Sequence, residues 1–369
     1  MKIMTIFGTR PEIIRLSLVM ALLDKHCEHI TVHTGQNYHE SLSDIFLRDL
    51  GVRTPNVHLG IKANSFGEQI GQMLTLSDEL FAEHKPDKVL ILGDTNSALT
   101  AITAARRGIP VYHMEAGNRC YDDRVPEEIN RRIVDHSSTV LMPYTERSKD
   151  NLVREGIERE RIFVTGNPIK EVLDGFGSKI DSSGALQKFG EKFGVEAKGY
   201  FLVTLHRAEN VDAPERLQRI FDGFSAVVEA HQKPMLVSVH PRTAEKLKQF
   251  GLEPGSDKIK MLEPLGFFDF VHLEKNAFAV LTDSGTVQEE CAIFNVPNVT
   301  VRDVTERPET IECGSNIISG AETAMIAGAV DLAVSLPATW TAPKEYLTEN
   351  VSHTVAKIVL GYNSIKKHL

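Results

Sequence analysis

Short apolar, β-branched runs alternate with amphipathic segments along almost the whole chain. KIMTIF (residues 2–7) precedes a helical stretch from Pro11 to about Lys25; HITVHT (29–34) precedes a second over SLSDIFLRDL (41–50). The rhythm continues through KVLILG, a helix over SALTAITAARR, IPVYHM, a helix opened by Pro126, TVLMPY, a helix over TERSKDNLVREG, and RIFVTG (161–166). Strands that are apolar on both faces, separated by helices, predict a parallel sheet covered on both sides. Six such strands by Thr165 complete one doubly wound domain. The pattern then restarts with YFLVTL, PMLVSV, KIKML, FAVLTD, VPNVTV and SNIIS. The Gly/Ser-rich polar stretch from Ser178 to Gly199 lies between the two sets, so the boundary is expected shortly after Gly166. The expected division is residues 1–167, residues 168–349, and a final helix over 350–369 that packs back on the first domain.

Polar residues collect where strands end, the edge at which open α/β sheets bind ligands. Gly8-Thr9-Arg10-Pro11-Glu12 forms the first such turn. Gly8 permits a tight turn, Pro11 starts a helix, and Arg10 beside the helix amino end suits a diphosphate or carboxylate; a surface Arg on a plain turn is the bland alternative. Asp94, after KVLILG, is either a helix N-cap or a base, since Thr95 or Ser97 could cap instead. The segment from His113 to His136 carries two His, six acidic residues and four Arg directly after a buried-looking strand. Ionised groups beside a core strand need partners or a task. In the helix opened by Pro126, Ile129 and Ile133 are expected to form the apolar side, with Glu127 and Glu128 at the positive end of the dipole.

The second half behaves alike. His206, Arg207 and Glu209 follow one strand, and His240 and Arg242 another. Thr282–Glu290 (TDSGTVQEE) reads as strand, turn and helix, an anion cradle of backbone N–H groups and hydroxyls at Ser284, Gly285 and Thr286. Either Glu289 or Glu290 could hold a ribose. Arg302–Glu309 (RDVTERPE) reads as a charged loop able to close over a ligand.

Composition narrows the partners. At 369 residues the chain suits two domains, and 42% hydrophobic with 25% charged residues is ordinary for a globular protein. A net charge of −9 argues against broad binding to nucleic acid or anionic membranes, but not against local capture of a phosphate. Four scattered Cys without CxxC spacing read as reduced thiols, and no HxxxH, DxD or Cys/His cluster points to a metal. The start lacks a signal peptide, and Asp331 interrupts the longest apolar region, so the cytoplasm is the expected compartment.

GTRPE, GDTNS, HMEAG with PEEINR, HRAEN, TDSGTVQEE and RDVTERPE occur in that order. Together they resemble the non-hydrolysing UDP-N-acetylglucosamine 2-epimerases over essentially the whole chain. The resemblance implies two Rossmann-like doubly wound domains facing a cleft, as in GT-B glycosyltransferases, with a UDP-sugar as partner and no cofactor. It implies inversion at C2 by elimination of UDP to a 2-acetamidoglycal and re-addition from the other face. Matched positions for acid/base work are Asp94, Glu115, Glu127 and His206. For substrate binding they are Arg10, Arg15, Arg131, Arg207, His240, Ser284, Gly285, Thr286, Glu290 and Arg307. A homodimer is implied as well.

HMEAGNRC stands where many members have HVEAGLRTG, Arg-Val precedes Pro126 in place of a Trp, and Arg15 replaces a usual Lys. These departures resemble the branch that makes UDP-N-acetyl-L-fucosamine from UDP-2-acetamido-2,6-dideoxy-L-talose for capsule or O-antigen sugars. The UDP-N-acetylglucosamine/UDP-N-acetylmannosamine pair is the alternative, and a GT-B glycosyltransferase a further one. GQNYHESL (35–42) lacks the Gln-rich pattern of members with a regulatory nucleotide-sugar site.

Overall fold

The computed structural model describes residues 1–35, 47–63 and 65–363. The expected helix over 41–50 and the GQNYHESL segment therefore lie largely outside the described residues. The chain divides into two compact units, Met1–Asp174 with Glu345–Leu369, and Gly175–Lys344.

The first unit holds a six-stranded sheet in the order β3-β2-β1-β4-β5-β6. Its strands are β1 (Lys2–Phe7), β2 (Glu28–His33), β3 (Val57–His58), β4 (Lys88–Leu92), β5 (Val111–Met114) and β6 (Val140–Met142). Every pairing is parallel. Successive residues of β4 are all buried, as a strand covered on both faces requires. The order turns back between β1 and β4, and the turns that follow these two strands flank that switch point. One expected strand is absent: RIFVTG contributes only an isolated bridge from Ile162 to Leu141, and the short β3 supplies the sixth strand. Apolar content alone did not distinguish an edge segment that pairs at one residue from one that pairs along its length.

The second unit repeats the topology as β12-β11-β10-β7-β8-β9. Here all six expected runs form strands: β7 (Phe201–Leu205), β8 (Met235–Val239), β9 (Ile259–Leu262), β10 (Ala279–Thr282), β11 (Asn298–Thr300) and β12 (Asn316–Ile318). Its switch point lies between β7 and β10. Phe201, Val203, Leu281 and Val299 pack on one face of the sheet with Phe221, Phe224 and Ile326, and Leu202 and Val280 pack on the other with Leu273 and Cys291.

The divisions fall at Asp174 and Glu345 instead of at 167 and 349, and local bonds show why. The Ile169–Gly175 helix stays with the first unit because Glu171 accepts bonds from the Ser352 N–H (2.8 Å) and hydroxyl (2.6 Å). Glu345 belongs there because its carbonyl accepts the Asn167 N–H at 2.9 Å. Gly166 adopts φ 85°, and a Cβ there would stand 2.6 Å from Thr348 Cβ.

The C-terminal helix, Val351–Gly361, buries Val351, Val355, Ala356 and Val359 and packs on the Arg10–His26 helix. Glu171 caps its first turn, where the Asn350 side chain makes no cap bond. At its far end the buried Lys88 ammonium donates to the carbonyls of Val359 (2.6 Å) and Tyr362 (3.0 Å), and the Tyr112 hydroxyl donates to Tyr362. A cation at the negative end of a helix, bonded to carbonyls that lack intrahelical partners, is favoured twice over. Lys88→Met should leave these acceptors unmet and destabilise the first unit by about 1–3 kcal/mol. Amide exchange over 351–361 should quicken while β4 stays protected; unchanged exchange there would show that Lys88 does not anchor the helix.

Candidate active site

The turn after β1 is organised by Glu12. Thr9 is the N-cap of the Arg10–His26 helix, which places Glu12 at its third position. Glu12 Oε2 accepts the N–H groups of Gly8 (2.9 Å) and Thr9 (2.7 Å) and the Thr9 hydroxyl (2.8 Å). Its other oxygen accepts the Thr95 hydroxyl at 2.9 Å, which ties the β1 and β4 turns together. Burial pushes its carboxyl up to about 7 against the opposing pull of these donors. Arg10 beside it is half-buried, and burial lowers its guanidinium from the ordinary value.

Asp94 is not a helix cap. Thr95 takes the N-cap position of the short 3-10 helix Asn96–Thr100, and the Asp94 carboxylate receives Arg131 Nε at 2.8 Å. Asn130 fixes the same loop through the Asp94 carbonyl (2.9 Å) and the Asn96 side chain (3.1 Å). Glu115, one residue past β5, sits in the left-handed region at φ 62°. It is buried, its carboxylate is paired with the Arg15 guanidinium, and its other oxygen accepts Asn118 at 3.4 Å. A Cβ on Gly93 would lie 4.0 Å from Glu115 Oε2, so that carboxylate leans toward the end of β4, next to Asp94. Gly117, at φ 80°, is obligatory: a Cβ there would meet the Ser148 carbonyl at 2.2 Å.

The helix Pro126–Ser137 reverses the expected polarity. Ile129 and Ile133 are 48% and 38% exposed, while Glu128, Asn130, Arg131 and Asp135 are buried. The helix turns its charged face inward because partners await it there. Glu128 accepts the N–H groups of Cys120 (3.0 Å) and Tyr121 (3.1 Å) and Arg131 Nη1 (2.6 Å). Burial would raise its carboxyl, but these bonds outweigh it and hold it below the usual range. Asp135 lies 2.9 Å from His113 Nδ1 and 2.8 Å from Arg119; burial would raise it too, and these two partners depress it. Arg119 reaches on to Glu155. Glu127 is half-buried in the first turn of the helix, four residues before Arg131 and on the same face. Arg10, Arg15, Asp94, Glu115, Glu127 and Arg131 thus belong to the carboxyl edge of β1, β4 and β5 and to the helix packed beside it. Reasoning from sequence named Glu12 and Glu128 but gave neither a place among the candidate site residues. The Thr-x-x-Glu spacing would have marked the first, whereas nothing local separated Glu128 from Glu127.

In the second unit Asp283 is the organiser, again a residue the sequence did not single out. Fully buried after β10, it accepts the N–H groups of His206 (3.0 Å) and Arg207 (2.8 Å), Asn210 Nδ2 (3.2 Å) and lies 3.1 Å from His206 Nδ1. Burial would raise its carboxyl, but the His206 ring and these N–H groups bring it down to about 2. His206 is thereby oriented by its Nδ1 side. The His240 ring stands 5.5 Å from that of His206, and His240 Nδ1 accepts the Arg242 N–H at 3.2 Å as the cap of the Pro241–Phe250 helix.

Ser284 is the N-cap of the helix Gly285–Phe294, with Thr286 in its first turn. A Cβ on Gly285 would lie 2.7 Å from Glu306 Oε1, so a side chain there would displace that carboxylate. Glu306 also accepts Arg302 Nη1 at 2.7 Å and lies 3.7 Å from Arg207. Arg307 is buried and paired with Glu289, and Glu290 beside it on the helix is buried as well. In the segment over 302–309, read from sequence as a charged loop able to close over a ligand, Arg302, Thr305, Glu306 and Arg307 are buried, with Arg302 paired to Glu306 and Arg307 to Glu289. Among the described residues no group of three His, Cys, Asp or Glu side chains is placed to hold a metal ion.

Glu12 offers a titration test. A carboxyl raised in the folded state contributes stability that is complete below its ordinary pKa and is lost as pH rises through about 7. Glu12→Gln cannot ionise and should lose less Tm than the unaltered protein between pH 5 and pH 8. Parallel Tm profiles would mean that Glu12 is ionised throughout.

Residues 21–360 match the UDP-N-acetylglucosamine 2-epimerase family. A UDP-N-acetylglucosamine 2-epimerase of Methanocaldococcus jannaschii is 42% identical over 348 residues, spanning 93% of this chain and 95% of that protein. A UDP-2,3-diacetamido-2,3-dideoxy-D-glucuronate 2-epimerase of Pseudomonas aeruginosa is 36% identical, over 88% of this chain and 90% of that one. The crystal structure of the Methanocaldococcus jannaschii UDP-GlcNAc 2-epimerase in complex with UDP-GlcNAc and UDP matches with a TM-score of 0.92 at 41% identity, covering 97% of this chain and 99% of that chain. WaaG, a glycosyltransferase of lipopolysaccharide biosynthesis, matches at 12% identity with a TM-score of 0.61 over 98% of this chain and all of its own, a likeness of fold alone that marks the two-domain α/β architecture as GT-B-like. The chain belongs to the UDP-N-acetylglucosamine 2-epimerase family and is an isomerase.

Proposed function

We propose that this chain epimerises a UDP-2-acetamidosugar at C2 by eliminating UDP and adding it back, with UDP-N-acetylglucosamine and UDP-N-acetylmannosamine as the pair. The carrying observation is that Asp94 and Glu115, at the ends of adjacent strands, are each held by a separate arginine, Arg131 and Arg15. The hydrogen at C2 has no neighbouring ketone to acidify it. Departure of UDP from C1 leaves an oxocarbenium-like centre that does so. A carboxylate then takes the proton, and a 2-acetamidoglycal and UDP remain. In the return step a proton arrives at C2 from the opposite face as a UDP oxygen rejoins C1. Two proton-transfer groups are needed, and carboxylates fixed by ion pairs keep the orientation such transfers demand. We assign Asp94 and Glu115 to this work, with Glu127 and His206 as further acid/base groups. Arg10, Arg207 and the Ser284-Gly285-Thr286 turn at a helix amino end are assigned to the diphosphate, whose negative charge grows as the C1–O bond breaks. His240 and Arg307 are assigned to the same nucleotide.

A second substrate reading, UDP-2-acetamido-2,6-dideoxy-L-talose to UDP-N-acetyl-L-fucosamine, draws on one specific feature. Two of the unusual residues contact Glu115 itself: Arg15 pairs with it and Asn118 donates to it. The relatives named for UDP-N-acetylglucosamine weigh the other way.

Each UDP-sugar incubated with the protein in heavy water separates these readings by NMR of the product. The true substrate should acquire deuterium at C2, and epimerised product that keeps protium there rules out elimination. Asp94→Asn should lower kcat by about 100-fold or more, as loss of a proton-transfer group does; undiminished turnover would remove Asp94 from the mechanism.

A further inference from the structure

Behind the strand ends that carry Asp94 and Glu115 lies a buried polar chain that the reaction scheme does not use. His113, on β5 and 1% exposed, stands in register with Ile91 of β4. Its Nε2 is 2.8 Å from the Gly93 carbonyl, one residue before Asp94. A carbonyl only accepts, so Nε2 carries a hydrogen and donates it. Gly93 has left the β4 ladder at φ 74°, and its N–H goes to the Met114 carbonyl at 3.0 Å. Both backbone polar groups of Gly93 are thus held from β5. On the other side of the ring, His113 Nδ1 lies 2.9 Å from the Asp135 carboxylate, a close electrostatic contact and not a straight hydrogen bond. Asp135 is fully buried on the Pro126–Ser137 helix. It accepts the N–H of Gly117, two residues past Glu115, at 3.2 Å and meets Arg119 Nη2 at 2.8 Å. Arg119 spends its other nitrogens on the Asn118 carbonyl (2.7 Å) and Glu155 (2.8 Å). Burial works to raise the Asp135 carboxyl, but His113 and Arg119 hold it below its ordinary value. One chain of contacts therefore runs from the turn bearing Asp94, through His113 and Asp135, to the turn bearing Glu115.

We propose that His113 is a positioning residue for proton transfer at C2: holding the Gly93 carbonyl with one ring nitrogen and resting on Asp135 with the other, it fixes the Asp94 turn relative to the Glu115 turn. The inference rests on the assignment of Asp94 and Glu115 to proton transfer and deepens it. Arg131 and Arg15 hold the two carboxylates one at a time, whereas His113 sets one turn against the other. Buried beneath the strand ends, it acts through the backbone and not by contact with the sugar. A buried carbonyl deprived of its donor turns toward another partner, and Gly93, without a side chain, offers little resistance to that rotation. A displacement of about 1 Å is enough to cost a proton transfer about 100-fold.

The test measures kcat, KM and Tm of the full chain with the UDP-2-acetamidosugar identified by deuterium uptake, for His113→Leu, His113→Gln and His113→Asn, each alone and combined with Asp94→Asn. His113→Leu should lower kcat about tenfold or more and leave KM within about threefold, since alignment and not binding is lost. His113→Gln keeps an N–H able to reach the Gly93 carbonyl and should return kcat to within about threefold of the unaltered protein. His113→Asn, one methylene shorter, should remain about tenfold or more down. In the Asp94→Asn background His113→Leu should cost about threefold or less, because the group being positioned no longer functions. A role in packing alone would lower Tm and reduce kcat by the same factor in both backgrounds, which would overturn the proposal. Should His113→Leu not fold, the Gln and Asn variants decide, and equal kcat in the two overturns it. If Asp94→Asn and Glu115→Gln each lower kcat while His113→Leu leaves it unchanged, the positioning role fails and the assignment of the carboxylates stands. If none of the three lowers kcat, both fail.

Discussion

Arg131 is the interaction on which the first unit's active edge depends. Buried on the inward face of the Pro126–Ser137 helix, it reaches Asp94 with one nitrogen and Glu128 with another. Glu128 in turn receives the backbone of Cys120 and Tyr121. One guanidinium therefore fixes the loop after β4, the loop after β5 and the helix between β5 and β6. Breaking such a pair strands a buried charge, at about 3–5 kcal/mol. That penalty makes a helix with its charged face inward a defined structure and not a compromise.

The same constraint accounts for how the carboxylates proposed for proton transfer are held. Asp94 and Glu115 each lean on a separate arginine, and Glu115 occupies a left-handed backbone position. Gly117 makes that bend possible, since no side chain fits between it and Ser148. Rigid scaffolding, a helix on one side and a strand on the other, carries the groups that must meet the substrate at fixed angles.

The two units share a topology and also a device. At each switch point a buried carboxylate gathers the backbone N–H groups of the turn after the unit's first strand: Glu12 those of Gly8 and Thr9, Asp283 those of His206 and Arg207. Their acidities diverge, about 7 for one and about 2 for the other. Glu12 is bonded to neutral donors alone, so burial prevails; Asp283 faces the imidazole of His206, which can be a cation, so attraction prevails. Two carboxylates with similar tasks, one on the helix after the first strand and one after the fourth, are thus shifted in opposite directions.

Much of this was written into the sequence. Alternating apolar runs specify two parallel sheets because a strand buried on both faces needs no polar residue, and that signature is local. The ordered motifs at strand ends carry the resemblance to the 2-epimerase family, and they fall where such sheets bind ligands. Tertiary structure decided the rest. The inward face of the Pro126 helix and the burial of Arg307 against Glu289 both depend on partners distant in sequence. A charged residue looks solvated in sequence until the groups that will neutralise it are brought alongside, and only the folded chain does that.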